Sequence, residues 1–389
     1  MPRKVAIIGV GQSETATKLK AYTHPELAYK AINAALEDAN LKLDNVEAVV
    51  YGSMDQFDGI NSPDRWDLDA MGGWDHKPFI KVLTGGSTGH ATALTAYQHV
   101  SSGLYDVVLA VGVQRVGENL DAQAVLNKAF NPLFLGNFTL GSIDGWALLT
   151  TMHMAKYGSR EEQFALASVI DHEHALNNPY AHIKKKLSLE EVMQSPPVCW
   201  PIKYLECCPR SDGACAVIMA SEEIAKKLTP VPAWVRGAQY IVCTPYYGDR
   251  PGGVDWLNLA VAGKRLYKMT GITDPLAEID VLELQTPFPI VHFLALEALG
   301  FCEFGGAGAF IASGATKMGG KLPVNPSGGV ICTNQIGAAG LVRIAEAALQ
   351  IMGKAGQRQV PEVKKALAFG MGASRGQYQS TFLLTKDWN

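Results

Sequence analysis

The sequence predicts an α/β protein with buried sheets, assembled from two related halves. Three observations carry that prediction. Short apolar, β-rich runs alternate with amphipathic helical stretches, the two ends of the chain echo one another, and a long insertion separates them. With 389 residues the chain has room for two or more ordinary domains, or one large duplicated unit.

Taken in order, residues 5–10 (VAIIGV) are continuously apolar, as a strand buried on both faces must be. A helix is predicted over 25–39, and LKLDNVEAVVYG then leads into a strand at 46–51. The glycine-rich turn VLTGGSTGHA (82–91) opens a helix over 90–102, in which Ala93, Ala96, Tyr97 and Val100 share one face. Strands follow at 107–113 and 214–220, with a helix at 161–177 between them. In the second half a helix near 259–270 leads through ITDPLAEIDVLELQ into a strand at 279–284. A helix over 290–299, a strand at 328–331, a helix over 338–352 and a strand at 380–384 complete the reading. The stretch SGGVICTNQIGAAG opens the 338–352 helix as VLTGGSTGHA opens its counterpart, and this echo is the basis for reading a duplication. Residues 118–209, rich in aromatics, Met, Asn and Pro, form the insertion: a lid or binding region, or a plain surface excursion.

Composition excludes several functions. Net charge is −3 and no basic run is interleaved with aromatics, so neither nucleic acid nor an anionic membrane is an expected partner. No apolar run reaches the ~18 residues of a membrane helix. The start, MPRKVAIIGVGQSE, lacks an apolar leader core with a small-residue cleavage site, so a soluble, cytoplasmic protein is expected. Its GVG lacks the third glycine and the acidic residue of a dinucleotide fingerprint. The cysteines are Cys199, Cys207, Cys208, Cys215, Cys243, Cys302 and Cys332. Their odd number and the absence of CxxC pairs point to reduced thiols and no zinc site. At the GGSTG turn, backbone N–H groups and the helix dipole favour developing negative charge, yet no obvious nucleophile stands there.

The segments SSGLYDVVLAVGVQRV, MAKYGSREEQFALASVIDHEHALNNPYAH, LECCPRSDGACAVIMAS, FPIVHFLALEALGF and VNPSGGVICTNQIGAAGLVRIAEAALQIMGKAGQRQV together resemble the thiolase superfamily. The resemblance covers essentially the whole chain, with sterol-carrier-type and archaeal-type thiolases nearest in flavour. It implies two βαβαβαββ-type halves, residues 1–117 with 210–230 and residues 231–389, stacked as a five-layered α-β-α-β-α structure. Residues 118–209 would be a loop domain covering coenzyme A. The implied chemistry makes or breaks a carbon–carbon bond next to a CoA thioester, using a nucleophilic Cys, an activating His, a second Cys for the α-carbon proton, and oxyanion holes. CoA is then a substrate or product, and no cofactor or metal is expected on this chain.

This sequence departs from that pattern at every proton-handling position. The nucleophile motif Cys-x-Ser-Gly falls on Gly86-Ser87-Thr88-Gly89, so Gly86 replaces the thiol. The His-Asp-x-Phe motif falls on Gln285-Thr286-Pro287-Phe288, and Gly-His-Pro falls near Thr333-Asn334-Gln335 with a one-residue gap. The second Cys should lie within GMGASRGQYQ, where Ser374, Arg375 and Tyr378 offer side-chain chemistry.

Several residues are therefore candidates. Cys332, on the turn mirroring the nucleophile loop, is either a displaced nucleophile with a depressed pKa or a buried, inert thiol. Ser87 and Thr88 are hydrogen-bond donors or helix-capping residues, and Gly86, Gly89 and Gly337 are candidates for backbone oxyanion stabilisation. His90 is the best-placed imidazole for a general base, with a structural histidine as the alternative. Asn334 and Gln285 offer amide N–H donors to an enolate or thioester oxygen. His172, Asn178, Tyr180, Phe288, Ser374 and Arg375 are candidates for shaping the CoA and acyl cavity, with a solvent-facing helix end as the alternative for the DHEHALNNPYAH residues. Lys184, Lys185 and Lys186 are a solvated face, or a draw for CoA phosphates.

Three functions follow: a thiolase-type acyltransferase acting on a bulky or aromatic β-ketoacyl-CoA, a retro-aldolase on a β-hydroxyacyl-CoA such as a steroid side chain, or a non-catalytic subunit. The first is the leading expectation, because the similarity is to thiolases and a thiol lies on the mirrored loop. The resemblance also implies a homodimer joined through residues 107–113, and a small companion with a zinc ribbon and an OB-fold.

Overall fold

The computed structural model describes residues 3–59, 62–72, 76–118, 121–128, 130, 131, 133, 135 and 141–388. The strands among them are β1 (Val5–Gln12), β2 (Ala48–Gly52), β3 (Phe79–Val82), β4 (Val107–Arg115), β5 (Pro197–Cys199), β6 (Ile202–Lys203), β7 (Asp212–Ser221), β8 (Ala233–Val242), β9 (Val281–Leu284), β10 (Lys365–Gly372) and β11 (Tyr378–Thr385). Nine of them hydrogen-bond in the order β3-β2-β4-β7-β1-β8-β11-β10-β9, while β5 and β6 form a separate hairpin in the insertion. β1 and β8 meet through two residue pairs, Ala6 with Trp234 and Ile7 with Ala233. That short seam divides the order into a first-half sheet and a second-half sheet.

Alternation along β1 explains the layering. Val5 and Ile7 join Ala93 and Ala96 of helix Thr88–Ser101, and Ile344 and Ala348 of helix Ile336–Met352, in one core. Ala6 and Ile8 face the other way and pack on Leu27, Ala31 and Ile32 of helix His24–Ala39. That helix lies close, since a Cβ at Gly9 or Gly11 would stand 2.4 and 2.0 Å from its carbonyl oxygens. A third core joins Leu282, Leu367 and Leu383 to helices Leu257–Thr270 and Ile290–Ala298. Helix, sheet, paired central helices, sheet and helix make the five layers of a thiolase fold. Every residue from Gly337 to Met352 is buried, which accounts for the nearly unbroken apolar run GAAGLVRIAEAALQIM. Its charges are paired, Arg343 Nη1 with Glu283 at 2.6 Å and Glu346 with Arg358 Nε at 2.7 Å, as buried charges must be.

Two expectations are corrected. Residues 328–331 form no strand: Gly328 (φ +87°) and Gly329 (φ +61°) are left-handed, and Gly329–Cys332 is a short helical turn. Residues 107–113 cannot carry a dimer contact by strand pairing, because β4 is already paired with β2 and β7. The edge strand on the first-half side is β3, with Ile80 and the following Leu83 39% and 44% exposed. β8, β10 and helix Ile143–Tyr157 were not anticipated. The last of these makes the insertion substantially helical. Among the described residues no helix is long and apolar enough to cross a membrane.

Candidate active site

The turn before helix Thr88–Ser101 is braced by its own side chains. Thr88 Oγ1 donates to the Gly85 carbonyl at 2.6 Å and accepts the Thr84 N–H at 3.0 Å. Ser87 Oγ donates to the Thr84 carbonyl at 2.8 Å and meets the Tyr240 hydroxyl at 3.0 Å. Both side chains are fully buried, so they shape the turn rather than face a ligand. Gly89 allows the two central helices to touch, since a Cβ there would stand 2.3 Å from Leu341 N. Gly85 and Gly86, by contrast, present their backbone to a cavity.

That cavity has a volume of about 150 Å³ and opens to solvent. Its walls are mostly apolar: Met54, Phe57 and Val116 from the first half, Trp146 and Ile143 from the insertion, and Phe288, Ile336 and Met371 from the second half. Polar groups are few and fixed, as in small-molecule sites generally. Gln285 Nε2 donates to the Gly86 carbonyl at 2.8 Å, and its Oε1 accepts the Met371 N–H at 3.2 Å. The amide thus straps the first-half turn to the end of β10, and its second N–H remains for a ligand oxygen. Asn334 is held by Ser211, whose Oγ accepts the Asn334 N–H at 3.0 Å while the Asn334 carbonyl accepts the Ser211 N–H at 3.1 Å. Its Nδ2 donates to Cys208 Sγ at 3.1 Å.

Among the described lining residues the ionisable groups are Cys207, Cys208 and Arg210. Burial pushes the Cys208 thiol up to about 12, partly offset by the Asn334 N–H. Cys207 donates to the Lys203 carbonyl at 3.4 Å and is pushed higher still by burial. The arrangement can bind an apolar acyl group, stabilise an oxyanion with amides and a helix start, and keep thiols protonated.

Of the residues predicted from sequence, Gly86, Gln285, Phe288 and Asn334 line this cavity. Cys332 does not. It is fully buried with Ala175, Ala181 and Ile331, and its thiol lies 3.5 Å from His172 Nδ1. The expected depression of its pKa is reversed, because burial raises it well above the ordinary thiol value. His90 is likewise buried away from the lining, with Nδ1 3.2 Å from Ser380 Oγ and its ring where a Gly370 Cβ would stand. Burial, aided by the Arg343 charge, lowers its pKa to about 3. Burial lowers the His172 pKa below the ordinary imidazole value. Asn178 Nδ2 donates to the Ser327 carbonyl at 2.8 Å and its Oδ1 accepts the Tyr180 N–H at 3.0 Å, a loop-bracing role. Tyr180 faces a different surface groove, with Gln12, Asp38 and Arg358. Gly337 packs against Gln114 and Met54. Of the GMGASRGQYQ segment, Met371, Gly372 and Ala373 reach the cavity, while Ser374 and Arg375 turn away with their carbonyls held by Arg250. Lys184, Lys185 and Lys186 are exposed.

Sequence reasoning missed Cys208 and Trp146. The available signal for Cys208 was its position just before β7. Arg115, the last residue of β4, pairs with Asp212, the first residue of β7, so that loop stands at the sheet end where β4 delivers the chain. Among the described residues no cluster of three or more His, Cys, Asp and Glu side chains is placed to hold a metal.

Comparison with known proteins agrees with this architecture. Residues 5–179 match the family described as "Thiolase, N-terminal domain", and residues 253–386 match "Thiolase C-terminal domain-like". The chain is 31% identical over 377 residues to an acetyl-CoA acetyltransferase of Methanothermobacter thermautotrophicus, covering 96% of this chain and 97% of that one. It is 29% identical to the benzoylsuccinyl-CoA thiolase subunit BbsB of Thauera aromatica, covering 94% and 93%. Among solved structures, the Ltp2-ChsH2(DUF35) aldolase matches with a TM-score of 0.84 and 26% identity, covering 100% of this chain and 99% of that one. The chain is an enzyme of the thiolase superfamily.

Proposed function

We propose that this enzyme cleaves or forms the carbon–carbon bond between the α- and β-carbons of a bulky β-hydroxyacyl-CoA by retro-aldol chemistry, without an acyl-enzyme. One observation carries the reading: the cavity-facing turn at Gly86 has the room and backbone for a nucleophile but no thiol. Retro-aldol cleavage needs an enolate-stabilising hole and proton transfer, and nothing that accepts an acyl group. Gln285, Asn334 and the helix start supply the hole. The aromatic walls suit a large β-substituent. The likeness to an aldolase complex supports the same reaction class.

A second reading, thiolytic cleavage of a β-ketoacyl-CoA through a displaced thiol, draws on Cys208, which does line the cavity, and on the benzoylsuccinyl-CoA thiolase relative. To separate them, β-hydroxyacyl-CoA and β-ketoacyl-CoA thioesters with aryl and polycyclic substituents are incubated with the full chain and any copurifying partner. Carbonyl release from the hydroxy series supports the proposal. Consumption of the keto series alone, with free CoA, replaces it.

Assembly belongs to the same proposal. A homodimer joined along edge strand β3 would cover Ile80 and Leu83. A small companion with a zinc ribbon and an OB-fold would complete the CoA channel. The aldolase neighbour's own name joins Ltp2 to ChsH2, and BbsB is named a subunit.

A further inference from the structure

Carbon–carbon cleavage leaves an enolate whose α-carbon must take up a proton, and the residues ordinarily considered for that step do not reach the cavity. Cys332 and His90 are both enclosed elsewhere. Among the described lining residues, carboxylates, imidazoles and phenols are absent. Arg210 carries a guanidinium, which offers hydrogen-bond donors and no acceptor. Among the described residues, the proton-exchanging groups left on the wall are two neighbouring thiols.

These two thiols differ in setting. Cys207 Sγ donates to the Lys203 carbonyl, which favours the protonated form and ties the proton to the backbone. Cys208 Sγ instead accepts a hydrogen bond, from Asn334 Nδ2 at 3.1 Å, an arrangement that stabilises a thiolate formed when the proton leaves. Two backbone contacts fix the pair: the Cys208 N–H donates to the Pro287 carbonyl at 3.1 Å, and Ser211 clamps the Asn334 main chain. The thiol and the Gln285-Thr286-Pro287-Phe288 loop are therefore held as one unit, beside the amide that straps Gly86.

We infer that Cys208 is the catalytic acid that delivers a proton to the α-carbon of the thioester enolate, with Asn334 positioning its sulfur. This rests on the C–C cleavage reading above. In the balanced step, the β-hydroxyl proton leaves to water as the α–β bond breaks, and its electron pair becomes the enolate. The Cys208 S–H bond then breaks as the new C–H bond forms. The thiolate regains a proton from water, leaving a carbonyl compound and a shortened acyl-CoA with no net redox change. Burial keeps the thiol protonated at neutral pH, as the donor role requires. It also explains why a thiol facing an acyl thioester need not be acylated, since the thiolate is the nucleophile.

The test is exchange of the α-hydrogens of acetyl-CoA and propionyl-CoA in D2O, catalysed by the full chain with any copurifying partner and read by mass spectrometry. Exchange needs the oxyanion hole and the acid–base group but no knowledge of the carbonyl co-product. Wild type is expected to exchange, and Cys208→Ala to lose ~100-fold in rate while still binding CoA thioesters. Cys208→Ser, which restores size and a hydrogen-bond acceptor for Asn334, is expected to remain impaired, whereas a merely structural role would be rescued. Cys199→Ala, which removes a thiol on β5 outside the cavity lining, is expected to stay within about threefold of wild type, since general acid–base loss costs far more. Exchange by Cys208→Ala at the wild-type rate, or by Cys208→Ser at that rate, overturns the assignment. Carbonyl release without any wild-type exchange removes Cys208 alone, whereas absence of carbonyl release from wild type removes the cleavage reading itself.

Discussion

Gly86→Cys puts a thiol back where a thiolase would carry its nucleophile. A Cβ built on Gly86 stands 3.4 Å from Gly372 Cα and from the Met371 carbonyl oxygen, and 3.9 Å from Gln285 Nε2. Those are ordinary van der Waals contacts, and Gly86 is not among the residues with positive φ. Neighbouring glycines are different: a Cβ at Gly372 would stand 2.1 Å from Ser87 N, and one at Gly89 2.3 Å from Leu341 N. Replacing a glycine whose conformation suits other residues stabilises by ~0.4–1 kcal/mol through the unfolded chain. Gly86→Cys is therefore expected to fold with a melting temperature at or slightly above wild type. The new thiol sits at the start of helix Thr88–Ser101, where the backbone N–H groups lower a thiol pKa, opposite in direction to the burial that holds Cys208 protonated. Intact-protein mass spectrometry after incubation with acyl-CoA thioesters is the assay. Gly86→Cys is expected to gain one acyl group and wild type none, because the cavity of the variant alone holds a reactive thiolate. An acyl adduct on wild type would refute the reasoning, as would an unacylated Gly86→Cys protein that still binds the thioester.

Three further outcomes are expected. Cys332→Ala should keep C–C cleavage within about threefold while losing about 1–2 kcal/mol of stability in denaturant titration, since a buried thiol is replaced by a smaller group. Stability should fall with acid below pH ~6.5, because His90 is buried neutral with a folded pKa of about 3 and the unfolded chain binds the proton first. Its contribution is present above the unfolded value and is lost at about 1.4 kcal/mol per pH unit between ~6.5 and 3. Melting curves of wild type and His90→Asn across that window should differ in slope, and parallel curves would remove His90 as the cause. Ile80→Lys places a charge on the exposed edge of β3 and should leave the chain a monomer in analytical ultracentrifugation where the wild type forms the proposed β3-edge dimer, without loss of melting temperature in the monomer.

Much of the fold was legible because periodicity reports burial. Residues 5–10 read as a strand buried on both faces, and β1 is buried throughout. The helix predicted over 338–352 is the fully buried central helix Ile336–Met352. β10 escaped notice because KALAFGMG is small and glycine-rich at its end, and the helix Ile143–Tyr157 because its polar residues do not fall on one face. At the site, Gly86, Gln285 and Asn334 were reachable as motif positions, since each stands on a turn where strand ends converge. Cys332 misled because facing is set by angle, not by proximity in sequence. Val330 lines the cavity, and Cys332 lies two residues further along the same helical turn, about 200° around it. Cys208 belongs to the opposite case, a loop thiol brought to the wall by Pro287 and Asn334 from far along the chain, a contact that no local pattern encodes.

The central claim is that this cavity breaks a carbon–carbon bond without passing an acyl group through the protein to CoA. The measurement that tests it most directly is the rate of carbonyl release from a bulky β-hydroxyacyl-CoA as free CoA is varied from none to saturating. Release at full rate with no free CoA, in equal amount with a shortened acyl-CoA, is the predicted result. Cleavage that requires free CoA and consumes it one for one would contradict the account.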